Sequence, residues 1–223
     1  MFADISEKTI QKLKDEQIKL ASKIKFVSLK KRVGFIAGVD VSYSKVDIFC
    51  TIVIISYPEL KLINVYNEKG RIEFPYIPGL LSFREMPIVL KTFEKVKEDV
   101  FLIFCDGQGI AHPRGFGLAS HIGTILKKPT IGCAKSRLVG EYTIPGSNKG
   151  DYTPLIYKGR KVGVVLRTRD NTNPVFISVG NFIDIKSAIN YTLCCSLYRI
   201  PEPTRLAHKY VTLYKNSNLI TSS

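Results

Sequence analysis

No apolar run in this sequence reaches the roughly 18 residues that a membrane-crossing helix needs; the longest, such as IFCTIVIIS, are strand-sized. No two cysteines have the C-x-x-C spacing of a metal site, and the five cysteines are an odd number. Cys50, Cys105 and Cys133 fall inside apolar runs, and Cys194 and Cys195 are adjacent. They read as reduced, mostly buried small hydrophobes rather than a disulfide framework. The N-terminal MFADISEKTIQKLKDEQ is charged and lacks the apolar core of a signal peptide. Internal repeats, low-complexity tracts and linkers are also missing. A cytoplasmic protein of one domain, residues 1–223, is the expectation, since single cores commonly run to about 250 residues.

Acidic side chains are scarce as well. There are 19 Asp+Glu against 33 Lys+Arg, a formal net charge of +14. A polyanionic partner is the simplest cause, because basic surfaces gain affinity for phosphates by releasing counterions; the alternative is solubility alone. The remaining composition, 45% hydrophobic and 23% charged, is that of a soluble globular protein.

Residues from about Ile5 to Ile24 carry apolar positions in a partly helical rhythm among many lysines. Three strand-like runs follow, RVGFIAGVDVSYS, VDIFCTIVIISYP and LKLINVYNEKGRIEFPY, close enough for an antiparallel meander. SFREMPIVLKTFEKVKED then reads as a helix, with Pro87 in its first turns where a missing N–H costs least. VFLIFCD reads as a strand buried on both faces, LASHIGTILK as a short helix and PTIGCAKS as another buried strand. This alternation implies parallel strands with right-handed crossovers. YKGRKVGVVLRTR and PVFISVG add two strands, and DIKSAINYTLCCSLYR, opened by Asp184, reads as the last helix before a polar tail frayed from about Asn216. Three antiparallel strands followed by parallel βα units make one α/β domain. A ribonuclease H-like mixed sheet flanked by helices has that organisation, as one option among several.

Three carboxylates could carry chemistry. Asp40 lies mid-strand in IAGVDVSYS, an unfavourable place unless it faces water or has a partner. Asp106 ends VFLIFCD, where catalytic groups of parallel sheets gather, although Asp-Gly is also a common turn. Glu85 completes Ser-x-x-Glu, a capping box in which Ser82 caps the helix and Glu85 reaches back. Together the three could converge on Mg²⁺, which prefers carboxylate oxygens and orients water at a phosphate. DGQGIAHPRGFGLASHIG is glycine-rich and lets a ligand approach the backbone; it does not fit a dinucleotide fingerprint. In it, His112 could donate to a phosphate or transfer a proton, and His121 reads as structural. Lys135 would be costly to bury without an anion; a solvated lysine is the alternative.

GVDVSYS, PYIPGLLSFRE, DGQGIAHPRGFGLASHIG, GCAKSRLVGEY and IPEPTRLAH, in this order and spacing along nearly the whole chain, resemble the endonuclease V family. That family is ribonuclease H-like and directed at deoxyinosine. The resemblance implies Mg²⁺- or Mn²⁺-dependent hydrolysis of the second phosphodiester bond 3′ to the deaminated base in DNA. It makes Asp40, Glu85 and Asp106 the metal ligands and His112 a group near the metal and scissile phosphate. Lys135 becomes a cation near the phosphate or nucleophile, and His208 a more distant support. Tyr76, with Ile77, becomes a wedge that fills the gap left by the flipped base. Backbone groups of Gly79, Leu80, Leu81, Gly107, Gly117 and Leu138 become the base pocket. The chain departs from the family at Asn181, where many relatives have histidine, so no role is assigned there, and Gln108 falls at a variable position. Inosine-containing RNA as substrate and a non-catalytic nucleic-acid binder are the rival readings; a monomer without membrane association is expected.

Overall fold

The computed structural model describes residues 5–30 and 32–220. Helix α1 (Glu7–Ala21) opens the fold, its N-terminus capped by the Ser6 hydroxyl, which accepts from the Thr9 N–H at 3.3 Å. Strands β1 (Gly34–Tyr43), β2 (Asp47–Tyr57) and β3 (Leu62–Arg71) form the expected antiparallel meander. After α2 (Leu81–Phe93), strand β4 (Val100–Asp106) pairs parallel with β1, and after α3 (Leu118–Leu126), β5 (Thr130–Ala134) pairs parallel with β4. Then β6 (Tyr152–Tyr157), β7 (Arg160–Leu166) and β8 (Val175–Asn181) complete an eight-stranded sheet of order β3-β2-β1-β4-β5-β8-β7-β6. Helices α4 (Ile185–Cys194) and α5 (Glu202–Ile220) end the described chain. The mixed, helix-flanked sheet of the ribonuclease H-like class is the architecture observed.

Strand alternation sorts the core into two layers. Ala37, Val39, Ile103 and Cys105 pack with Met86 and Val89 of α2 and Ala119 and Ile122 of α3. Ile36, Leu102 and Phe104 face the other way, toward Ala188 and Tyr191 of α4. Asp40 follows Ile36 and Asp106 follows Phe104 at even spacing, so both carboxylates leave the sheet on the α4 and α5 side.

Four expectations are corrected. The C-terminal half of the sheet is antiparallel (β5/β8, β8/β7 and β7/β6): no helix separates β6, β7 and β8, and the chain passes from β5 to the far edge at β6 before returning to it through β7 and β8. YKGRKVGVVLRTR is not one strand: Lys158 (φ 50°) and Gly159 (φ 72°) make a two-residue hairpin turn, and an unread strand, β6, precedes it. A helix, α5, follows the one read as last, and the tail expected to fray from Asn216 is helical to Ile220; residues 221–223 lie outside the described ones. Finally, Ser82 is no cap. Leu80 holds that position without a side-chain bond, and Ser82 lies inside α2 with its hydroxyl 3.2 Å from His121 Nδ1. Asp184 caps α4 as expected, accepting from Ser187 N at 2.7 Å. No helix among the described residues is long and apolar enough to cross a membrane.

Candidate active site

The parallel register of β1 and β4 sets Val39 beside Cys105. The next residue in each strand is an aspartate, so Asp40 and Asp106 emerge side by side at the carboxyl edge of the sheet. His208 of α5 reaches the same point, its Nδ1 2.8 Å from Asp40 Oδ2. One ligand atom from each of Asp40, Asp106 and His208 lies within 4.8 Å of the others. Lys135, one residue past β5, donates to Asp106 Oδ2 at 2.6 Å. His208, expected as a distant support, thus touches Asp40 directly.

Glu85 arrives from the opposite layer. It is buried on the first turns of α2 and accepts from the Tyr43 hydroxyl at 2.7 Å. It stands outside the tight cluster but feels it. Burial, chiefly, and then the charges of Asp40 and Asp106 push its carboxyl up to about 8, against the pull of the Tyr43 bond. Asp40 is pushed up to about 6, first by burial and then by Asp106, while His208 pulls it down. Tyr43 is itself held protonated by burial and by Glu85. Glu85 is therefore not the capping partner that its local sequence describes.

This crowding has a measurable consequence. In the folded protein both carboxyls bind protons more tightly than their ordinary values of 3.8 and 4.5. The native state then holds more protons than the unfolded chain, and stability falls as pH rises. Metal-free protein should lose thermal stability between about pH 4 and 8, and Glu85→Gln should flatten the upper part of that decline. Melting curves in chelator across this range check it; a wild-type curve flat from pH 5 upward would contradict the crowding.

A cleft of about 400 Å³ opens over these groups. Asp40, Glu85, Asp106, His112 and Lys135 line it, with Tyr76, Gly79, Leu81, Gly107, Gly117 and Leu138 around its mouth and walls. Tyr76 is 65% exposed at the rim, and Ile77 is half-buried behind it. Leu80 does not reach the cleft. Its side chain is fully buried, its N–H donates to the Ile77 carbonyl at 2.9 Å and its carbonyl accepts from Phe83 N at 3.0 Å. Burial, with a smaller push from Arg114, lowers His112 to about 4 against the pull of a hydrogen bond to the Gly79 backbone, so its imidazole is neutral near pH 7. Its Nδ1 faces the Arg114 N–H at 3.3 Å, which leaves Nε2 to carry the proton.

Several residues escaped the sequence reading. Gln17 of α1 is fully buried; its Nε2 donates to the carbonyls of Gly79 (3.0 Å) and Phe116 (3.2 Å). Arg114 donates through Nη2 to the Gly79 carbonyl and through Nε to Gln17 Oε1, both at 2.5 Å. Gly79 has φ +78°, and a Cβ there would stand 2.6 Å from Arg114 Nη2. The knot ties α1, the PYIPG turn and the glycine loop together and turns the Gly79 carbonyl away from any ligand. A lone glutamine in a polar helix gave no signal of this. Asn181 is also structural: its Oδ1 accepts from Lys25 N (2.8 Å) and its Nδ2 donates to Thr124 Oγ1 (3.0 Å). Gln108 lines the cleft and donates to the Ser136 carbonyl at 3.2 Å.

The profile of the Endonuclease V family matches residues 18–209. An endonuclease V of Petrotoga mobilis is 44% identical over 213 residues, covering 95% of each chain. The crystal structure of an endonuclease V from Streptomyces avermitilis superposes with a TM-score of 0.90 at 35% identity, over 97% of this chain and 96% of that one. Endonuclease V of Ciona intestinalis, crystallised with a 24mer DNA containing an inosine followed by a ribo-adenosine, superposes with a TM-score of 0.84. It is 27% identical, and the match covers 95% of this chain and 99% of that one.

Proposed function

Because the chain belongs to the endonuclease V family, a family of nucleases, we propose that it is a repair endonuclease for deoxyinosine in DNA. It would hydrolyse the second phosphodiester bond 3′ to the lesion, leaving a 3′-hydroxyl and a 5′-phosphate. The observation that carries this reading is the pair Asp40 and Asp106, side by side on adjacent strand ends beneath a cleft rimmed by an exposed tyrosine. The inosine-containing DNA bound by the Ciona protein supports the choice of base.

The donor set suits a divalent cation. Two carboxylates and an imidazole present ligand atoms within 4.8 Å of one another, and the mutual repulsion of Asp40 and Asp106 is what a dication between them would relieve. Asp40 and Asp106 would hold Mg²⁺ or Mn²⁺, with Glu85 contributing from the α2 side. The ion would supply an activated water and charge stabilisation at the leaving oxygen.

The rest falls to the protein. Lys135 offers its ammonium to a phosphate at the Asp106 edge of the cleft. Neutral His112 serves as a hydrogen-bond donor through Nε2 rather than as a cation. His208 fixes the rotamer of Asp40. The N–H groups of Leu81 and Ser82 at the start of α2, uncapped by any side chain, and the backbone around Gly107, Gly117 and Leu138 would read the carbonyl and N–H of a flipped hypoxanthine. Tyr76, at the rim, would fill the vacated stack. A Tyr76→Ala protein should bind an inosine-containing strand more weakly by about 1–3 kcal/mol. Unchanged binding in a gel-shift titration would remove the wedge.

Hydrolysis next to inosine in RNA is the second reading, and the ribo-adenosine in the Ciona complex favours keeping it. Side-by-side nicking of inosine-DNA and inosine-RNA, with and without Mg²⁺, decides between them. Metal-independent binding without turnover on either substrate would overturn both.

A further inference from the structure

A second hollow, larger than the cleft, adjoins it. It is a groove of about 730 Å³ between the end of α1, the glycine loop and the β6–β7 hairpin, and it meets the cleft at His112. Arg114, Lys158, Arg160 and Lys161 line it, and no carboxylate does.

The charge there is uncompensated. Lys158, Arg160 and Lys161 are exposed, and among the described residues none of them has an ion-pair partner. Cations left unpaired along one wall raise the local potential and favour a polyanion. Aromatic surface accompanies the charge: Phe26 at the lip is 61% exposed, and Tyr157 lies beneath Lys158 with the ammonium 5.4 Å from the ring centroid. The hairpin tip also borders the cleft by a second route, since Tyr157 and Lys158 share a hollow with Arg137 and Leu138 of the cleft wall. A basic channel with aromatic rings on which bases can stack is the general design for holding single strands without sequence preference.

We infer that this groove holds the single-stranded nucleic acid flanking the reacting phosphodiester, with phosphates along Lys158, Arg160 and Lys161 and a base stacked on Phe26. The inference rests on the nucleic-acid reading of the cleft and extends it to a surface outside the carboxylate site. Contacts of this kind are indifferent to the base, so the groove would add affinity equally for strands with and without inosine.

The test is binding in chelator, where no cleavage intervenes. Fluorescently labelled single-stranded oligodeoxynucleotides with one inosine, their adenosine twins, and both annealed to a complement are titrated between about 50 and 200 mM NaCl. The triple variant Lys158→Asn, Arg160→Gln, Lys161→Gln removes three charges; asparagine tolerates the left-handed backbone at 158. Each lost single-strand phosphate contact lowers the salt slope by about 0.7, so the variant's slope should fall by about 2 on both single strands. Phe26→Ala should weaken single-strand binding about fivefold or more at unchanged slope. All four positions are solvent-facing, and thermal melting like the parent's verifies the fold. An unchanged slope in the triple variant, or a loss confined to duplex, overturns the proposal. Normal wild-type nicking at inosine alongside that result would leave the cleft's function standing and the groove refuted. Absent inosine preference with a lowered slope would do the reverse.

Discussion

Asp106→Ala should abolish nicking of an inosine-containing oligonucleotide in Mg²⁺ while binding of the same strand in chelator survives. Asp40→Ala should behave alike. The two carboxylates are adjacent on parallel strand ends, and their shared negative charge is what would hold the cation. A metal at a phosphoryl centre supplies several kcal/mol of charge stabilisation, so its loss lowers the rate on the order of 10³-fold or more. Binding persists because the phosphate contacts come from cations and backbone elsewhere in the cleft. Truncating Asp106 also frees Lys135, whose ammonium it holds at 2.6 Å, and an unpaired lysine does not weaken attraction to phosphate. Single-turnover nicking and a parallel gel shift separate the two effects. Retained cleavage in either variant would refute the metal assignment.

The second large effect lies away from the chemistry. Gly38→Ala should destabilise the protein by at least the roughly 1–3 kcal/mol of overpacking and also disturb the site. A Cβ on Gly38 would stand 1.9 Å from the Pro203 carbonyl oxygen and 2.3 Å from its carbon, both backbone atoms that cannot rotate aside. Strand β1 and helix α5 touch there backbone to backbone, one turn and a little more before His208. Accommodating a methyl group means moving α5, and moving α5 draws His208 Nδ1 from Asp40. His208→Ala removes the same contact without the clash, so it should lower activity while leaving the denaturation midpoint near that of wild type. A Gly38→Ala protein that melts like its parent would show that α5 is not seated as described.

That coupling could not be read from the chain. The strands β1, β2 and β4 announce themselves because apolar side chains at period two, or in unbroken runs, have few other ways to leave water. The helices α2 and α4 are visible for the same reason at period 3.6. Helix α5 is hidden because its apolar residues are interleaved with Arg205, His208, Lys209, Lys215 and Asn216, and only Ala207, Val211 and Tyr214 repeat along one face. The signal available was Glu202-Pro203, an acid and a proline at a helix start, followed by those residues on one face. Strand β6 is hidden because Lys158-Gly159, the two-residue turn between β6 and β7, looks in sequence like the start of a single strand.

The site divides along the same line. Asp40, Asp106, His112 and Lys135 could be picked out singly, because a carboxylate or lysine at the end of a buried strand is costly unless something compensates it. Glu85 is disguised by its own neighbourhood: Ser-x-x-Glu is a sound local pattern, but its hydrogen bond comes from Tyr43, 42 positions earlier in the chain. Leu80, expected at the base pocket, lies under it with both backbone groups engaged. The Gln17–Arg114–Gly79 knot spans separations of 62 and 97 positions and has no local signature at all.

By itself, then, the sequence determined the strand-like runs up to β5, the antiparallel meander and parallel segment they form, and the residue types available at strand ends. Those follow from local periodicity and from the cost of burying charge. Tertiary structure alone decided which of the charged groups meet. The register between β1 and β4 brings Asp40 to Asp106, the glycine contact under α5 brings His208 to Asp40, and the β6–β7 turn brings three unpaired cations to the groove beside His112. Such meetings depend on distances between segments far apart in the chain, which packing fixes and periodicity does not.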